Sequence, residues 1–109
     1  MRDDSERLFD ILEAIHKIEK HYDKNKLIID VLLQAAIVRY LEIIGEASRA
    51  LKEETKIKSP TIEWSKIIAF RNFVVHNYFD VDWDIVHNVI EKDIPPLKLK
   101  IQELIDKIT

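Results

Sequence analysis

The sequence predicts an all-α fold, an antiparallel bundle of four or five helices. Three observations predict it. Apolar residues recur every three or four positions along most of the 109 residues. A single Gly and three Pro leave the chain few places to turn, which favours a few long helices over many short strands. With 47% hydrophobic residues it can bury a core, and its length suits one domain spanning residues 1–109. β-branched residues are numerous and raise strand propensity, but their helical spacing and the missing glycines outweigh that.

The first helix is read over 4–22. Leu8, Ile11, Leu12, Ile15, Ile18 and Tyr22 recur at helical spacing, with charged residues between them. Asp4 or Ser5 is placed to accept from the free amides of its first turn. A polar turn, DKNK at 23–26, leads to a second helix over 27 to about 50. This helix is apolar on nearly every side, so it must be covered on nearly every side. A chain this small has few elements for that, which points to a partner subunit. Its polar residues Arg39, Glu42 and Glu46 fall within a sector of about 60°. Two readings stand: an internal ion-pair stripe, or a polar stripe facing a functional cleft.

The segment KEETKIKSPTIE, 52–63, reads as a loop. A third helix begins between Pro60 and Trp64 and runs through SKIIAFRNFVVHNY. Asp80 and Asp82 precede Trp83, where carboxylates can cap a fourth helix over 83–93. Pro95 and Pro96 are expected to break it, since proline lacks the amide and clashes with the preceding turn. Leu97, Ile101, Leu104, Ile105 and Ile108 mark a last amphipathic helix.

Composition narrows the function. The chain has no Cys, so disulfides and thiolate metal sites are excluded and a reducing compartment fits. The opening MRDDSERLFD has no apolar leader region. The longest apolar run is interrupted by Asp30, Gln34, Arg39 and Glu42, so no membrane span is expected. The expected location is cytoplasmic. A formal net charge of −3 argues against nucleic-acid binding by bulk electrostatics, so RNA would have to meet a small local site.

The candidate site is RNFVVHNY, 71–78. Arg71 and His76 are five residues apart, about 140° around a regular helix and about 7.5 Å along it. Asn72 shares a face with His76, and Arg71 flanks that face. Asn77 and Tyr78 fall where the helix should end. The residue types suit phosphodiester chemistry without a metal. Arginine offers a permanent planar fork to phosphate oxygens. Histidine titrates near neutrality and can move a proton at an attacking or leaving oxygen. Asparagine can hold the imidazole or the ligand. RNA brings its own nucleophile, the 2′-hydroxyl. The plain alternative is a surface arginine and a histidine capping a helix end.

The remaining candidates have plainer readings. His16, His21 and His87 are scattered singly and read as surface or helix-flank residues. Trp64, Trp83, Phe70, Phe73 and Phe79 read as core anchors, with Phe79 able to stack a base instead. Asp80, Asp82 and Asp84 are spaced like the start of a calcium loop, but its Gly and closing Glu are missing, so capping is the better reading.

The pattern Arg71-x4-His76-x-Tyr78 resembles that of the HepT-like toxins of the HEPN superfamily. So do LEIIGEASRAL (41–51), WSKIIAFRNFVVHNYFDVDWDIV (64–86), VIEKDIPPLKLKI (89–101) and the opening RDDSERLFDILEAIHKIE. The resemblance covers nearly the whole chain. It implies a HEPN helical bundle acting as a homodimer, and a toxin of a toxin–antitoxin pair that cleaves RNA internally without metal or cofactor. It implies catalytic roles for Arg71 and His76, with Asn72 supporting them. It also implies a partner, a minimal nucleotidyltransferase antitoxin that transfers AMP to Tyr78. Many relatives carry Gly between the histidine and the tyrosine; here Asn77 stands there, which bears on how Tyr78 is aimed. Two copies of the third helix meeting across a two-fold axis would line one cleft with two arginines and two histidines. Two other functions remain open: a non-catalytic regulatory partner of a nucleotidyltransferase, and a purely structural helical dimer.

Overall fold

The computed structural model describes residues 3–76 and 80–109. Its elements are α1 (Asp4–His21), α2 (Lys24–Leu27), α3 (Val31–Ala50), α4 (Glu53–Lys56), α5 (Trp64–His76), α6 (Trp83–Asn88), a π-helical turn (Val89–Asp93) and α7 (Ile94–Ile108). No strand occurs among the described residues. The expected all-α bundle is the fold. α3 packs against α1 and against α5, and α1 also packs against α7.

The periodicity becomes the core. Leu8, Ile11, Ile15 and Ile18 of α1 are fully covered, as are Ile37 of α3, Val86 of α6, and Ile101 and Leu104 of α7. Each such aliphatic side chain contributes about 1.5–3 kcal/mol on leaving water. Trp64 is buried as expected and donates its indole N–H to the Lys56 carbonyl at 3.3 Å. Phe73, expected in the core, is instead 39% exposed on α5.

The caps differ from the sequence reading, for local reasons. Asp3 caps α1, its carboxylate accepting from the Glu6 amide at 2.9 Å and the Ser5 hydroxyl at 2.8 Å. Asp4, a cap candidate from sequence, is buried. It accepts from the Lys52 amide at 3.0 Å and the Thr55 hydroxyl at 2.5 Å, and pairs with Arg7 at 3.0 Å. Asp4 thus pins the start of α1 to the segment after α3.

Burial raises the Asp4 carboxyl pKa, but the Thr55, Lys52 and Arg7 donors outweigh it and hold the group below its ordinary value. A depressed carboxyl stabilises the fold above its unfolded-state pKa and loses that contribution as pH falls through the folded one. Asp4→Asn should therefore cost about 1–3 kcal/mol at about pH 7. The gap to the native chain should narrow as pH falls below the ordinary carboxyl value and through the lower folded-state pKa, as read by urea unfolding along an acid pH series.

The second long helix begins later than its apolar pattern. Asp30 is extended and its carboxylate accepts from the Leu32 and Leu33 amides at 3.0 and 3.1 Å. Gln34 reaches back to the Leu27 and Ile28 carbonyls at 2.8 and 3.2 Å. The residue that interrupts the apolar run thus caps a helix and splits α2 from α3. The junction leaves Ile28, Ile29, Val31 and Leu32 exposed by 59 to 82%, an apolar patch on one end of the bundle. The segment read as a loop after α3 contains the single turn α4, whose Thr55 is buried.

Pro95 and Pro96 do not break the chain's helical course. They sit in the first turn of α7, where a missing amide costs little. The clash with the preceding turn is met upstream. Residues 89–93 widen into a π turn, and the Ile94 amide bonds the Val89 carbonyl five residues back.

Candidate functional site

Arg71 and His76 both lie on α5, and the crossing of α5 with α3 sets where Arg71 goes. Gly45 of α3 is buried at that crossing. A Cβ on Gly45 would lie 2.2 Å from the Arg71 Cβ and 2.4 Å from its Cγ. Only a residue without a side chain lets the arginine stem lie there. The stem is held against α3, and the Arg71 side chain is 22% exposed.

The guanidinium is tethered at both ends of its fork. One terminal nitrogen donates to the Glu46 carboxylate at 2.9 Å, and the other to the Asn72 side-chain oxygen at 3.0 Å. Its Nε is buried and has no acceptor among the described residues. The sequence reading of Arg39, Glu42 and Glu46 therefore divides. Arg39 and Glu42 pair with each other along α3, the bland reading. Glu46 instead crosses to Arg71 of α5, outside the internal stripe. Sequence reasoning placed Glu46 on a polar stripe but did not couple it to Arg71. It gave Gly45 no role at all. A lone glycine inside a helical pattern, directly before an acidic residue, was the signal for a close helix crossing.

His76 is the last described residue of α5 and is exposed. Asn72, one turn earlier, is also exposed. Phe73 lies between them in sequence with its ring stacked on Phe70, centroids 6.2 Å apart. The structure thus brings Arg71 and Asn72 into contact, while the Arg71 hydrogen bonds among the described residues go to Glu46 and Asn72, not to His76. Tyr78 and Asn77, singled out from sequence, lie outside the described residues, as does Phe79.

The other sequence candidates sit elsewhere. Asp82 caps α6 by accepting from the Asp84 amide at 2.9 Å. His16 and His21 are exposed. His87 is half-buried, where its ring stacks on Tyr22 at 5.9 Å and its Nδ1 meets the Tyr22 hydroxyl. No group of three or more His, Cys, Asp or Glu among the described residues could hold a metal. Among them, no helix is long and apolar enough to cross a membrane.

Comparison with known proteins decides the lineage. The profile of the family described as Ribonuclease HepT-like matches residues 11–104, which include all of the site. The chain belongs to the HepT-like family. It is similar to "Probable ribonuclease HepT" of Thermococcus cleftensis, 36% identical over 106 residues, covering 94% of this chain and 96% of that one. It is also similar to "Putative RNase MJ1380" of Methanocaldococcus jannaschii, 33% identical over 104 residues, covering 93% and 95%. No solved structure matches the chain significantly. The family sets the all-α bundle seen here as a HEPN fold, and makes ribonuclease the activity at family level.

Proposed function

We propose that this HepT-like protein is the toxin of a toxin–antitoxin pair and cleaves RNA internally without metal, in the cytoplasm. The observation that carries the reading is the tethered, mostly covered Arg71 side chain five residues before an exposed histidine on the same helix. A phosphate needs a fixed cation, and a proton needs a group free to take and give it. The two occur together here on one helix.

Two copies of α5 across a two-fold axis complete the site. The 2′-hydroxyl attacks the adjacent phosphorus. The 2′-O–P bond forms, the P–O5′ bond breaks, and a 2′,3′-cyclic phosphate is left. One imidazole accepts the 2′-hydroxyl proton, and the other, protonated, gives one to the departing 5′-oxygen. Both Arg71 forks hold the non-bridging oxygens as charge builds on them. Asn72 supports the arginine through the hydrogen bond already formed. The exposed Phe73 ring on this face, and the apolar patch of Ile28, Ile29, Val31 and Leu32, supply surface for a homodimer to cover. Local pairing of cations would also reconcile RNA binding with a net charge of −3.

Control belongs to Tyr78. A minimal nucleotidyltransferase antitoxin would transfer AMP to it. The phenol oxygen attacks the α-phosphorus of ATP, pyrophosphate leaves, and a phosphodiester is set two residues from His76. That phosphate mimics the substrate and occupies the site covalently. Co-expression with a minimal nucleotidyltransferase antitoxin should add AMP to Tyr78 by intact mass, remove RNA cleavage, and do neither in Tyr78→Phe. Modified protein cleaving at the unmodified rate would defeat this.

The activity itself is tested by incubating purified protein with RNA in the presence of a chelator. Cleavage that disappears in Arg71→Ala and His76→Ala supports the reading. A folded, unmodified dimer that cleaves nothing would instead make the chain a non-catalytic partner of the nucleotidyltransferase.

A further inference from the structure

Resting on that reading of Arg71, we infer that Glu46 is a positioning residue of the site, aiming the arginine from the neighbouring helix through the opening that Gly45 provides. Three features combine. The Glu46 carboxylate accepts from an Arg71 terminal nitrogen at 2.9 Å across the α3–α5 crossing. Gly45, the residue before it, lets the Arg71 stem lie where any Cβ would collide. The buried Nε has no acceptor, so within the described residues the orientation of the guanidinium rests on Glu46 and Asn72 alone.

Stability does not explain the pair. Glu46 is about half exposed, and ion pairs of that kind contribute little to folding. An isolated arginine would sample many rotamers of its long stem. With its stem on Gly45 and one terminal nitrogen on Glu46, it keeps one. Both terminal nitrogens carry a second N–H, so the fork can still meet phosphate oxygens while Glu46 and Asn72 hold it from behind. Glu46 touches neither the reacting atoms nor the substrate; it acts through Arg71.

The test compares Glu46→Ala and Glu46→Gln, each alone and in an Arg71→Ala background. It reads RNA cleavage and, separately, the Nε–H resonance of Arg71 in nitrogen-labelled protein. Glu46→Ala should lower kcat by about ten- to a hundredfold, since a displacement of about 1 Å in a positioning contact is enough for that. Its melting temperature should stay near native. Glu46→Gln keeps an acceptor oxygen and should recover most of kcat. In the Arg71→Ala background, Glu46→Ala should cause no further loss, because the two act as one unit. The buried Arg71 Nε–H should give a slowly exchanging signal in the native chain and lose it in Glu46→Ala. Native-rate cleavage by Glu46→Ala, an equal further loss in the Arg71→Ala background, or an unchanged Nε–H signal would each overturn the inference. If the native chain cleaves no RNA, the ribonuclease reading falls, and the resonance still decides whether Glu46 fixes the arginine.

Discussion

His76→Ala should slow RNA cleavage by about 10²–10⁴-fold, the range a positioned acid or base supplies, while leaving the fold intact. The two halves of that expectation come from the same observation. His76 is the last described residue of α5 and is exposed, so among the described residues its removal opens no cavity and unpairs no buried group. Thermal unfolding should therefore stay near native, which keeps the loss of activity from being a loss of structure. Arg71 is less clean as a probe. Its stem fills the space over Gly45, and Arg71→Ala empties that space and leaves Glu46 without its partner. Arg71→Lys keeps the charge but not the fork, and should still lose most of the activity. Combining His76→Ala with Arg71→Ala should cost little more than either change alone, as for groups that serve one step. Chelator-resistant cleavage by His76→Ala at the native rate would remove the proposed chemistry.

The fold was largely legible because helical periodicity survives every tertiary detail. Leu8, Ile11, Ile15, Ile18, Ile101 and Leu104 are where the spacing put them, in the covered core. What the pattern missed was local backbone chemistry. An apolar run from Leu27 onward reads as one helix, yet Asp30 offers its carboxylate to the Leu32 and Leu33 amides and starts the helix there. Prolines read as a stop, yet at the first turn of α7 they are tolerated, and the strain goes into a π turn upstream. In both places the competing option was a hydrogen-bond arrangement that periodicity does not encode.

Of the candidate site, the sequence displays the residue types but not their supports. An arginine, an asparagine and a histidine within six positions suit phosphate chemistry, but they suit a surface arginine and a helix-capping histidine as well, and only the family resemblance points to the former. Which neighbour holds the arginine depends on how two helices cross, and that crossing joins residues 46 and 71. The angular sector of Arg39, Glu42 and Glu46 was correct, yet it could not say that Arg39 and Glu42 would satisfy each other while Glu46 looked outward. Phe73 was misplaced for a related reason: an aromatic in an apolar stretch looks like core until the opposing helices are known to cover the other side of α5.

Gly45→Ala should be among the most damaging single-methyl changes available to this chain. An alanine gains about 1 kcal/mol over glycine in a helix interior, so intrinsic propensity alone predicts stabilisation. Sterics oppose it. The new Cβ would stand 2.4 Å from the Arg71 Cγ and 2.2 Å from its Cβ, an atom that no rotamer change moves. Relief requires α5 to back away from α3, and overpacking of that kind costs about 1–3 kcal/mol. The clash should win. For about 100 residues, the net loss, up to about 2 kcal/mol, appears as a fall in Tm of several degrees. Because the displaced element carries Arg71 away from Glu46, cleavage should drop more than stability does. A second substitution separates the two consequences. Arg71→Gly in the Gly45→Ala chain removes the colliding carbons, so part of the lost Tm should return while cleavage stays absent. Gly45→Ala melting at or above the native temperature would mean that α3 and α5 do not meet this closely, and the arginine would then need some other source of its fixed direction.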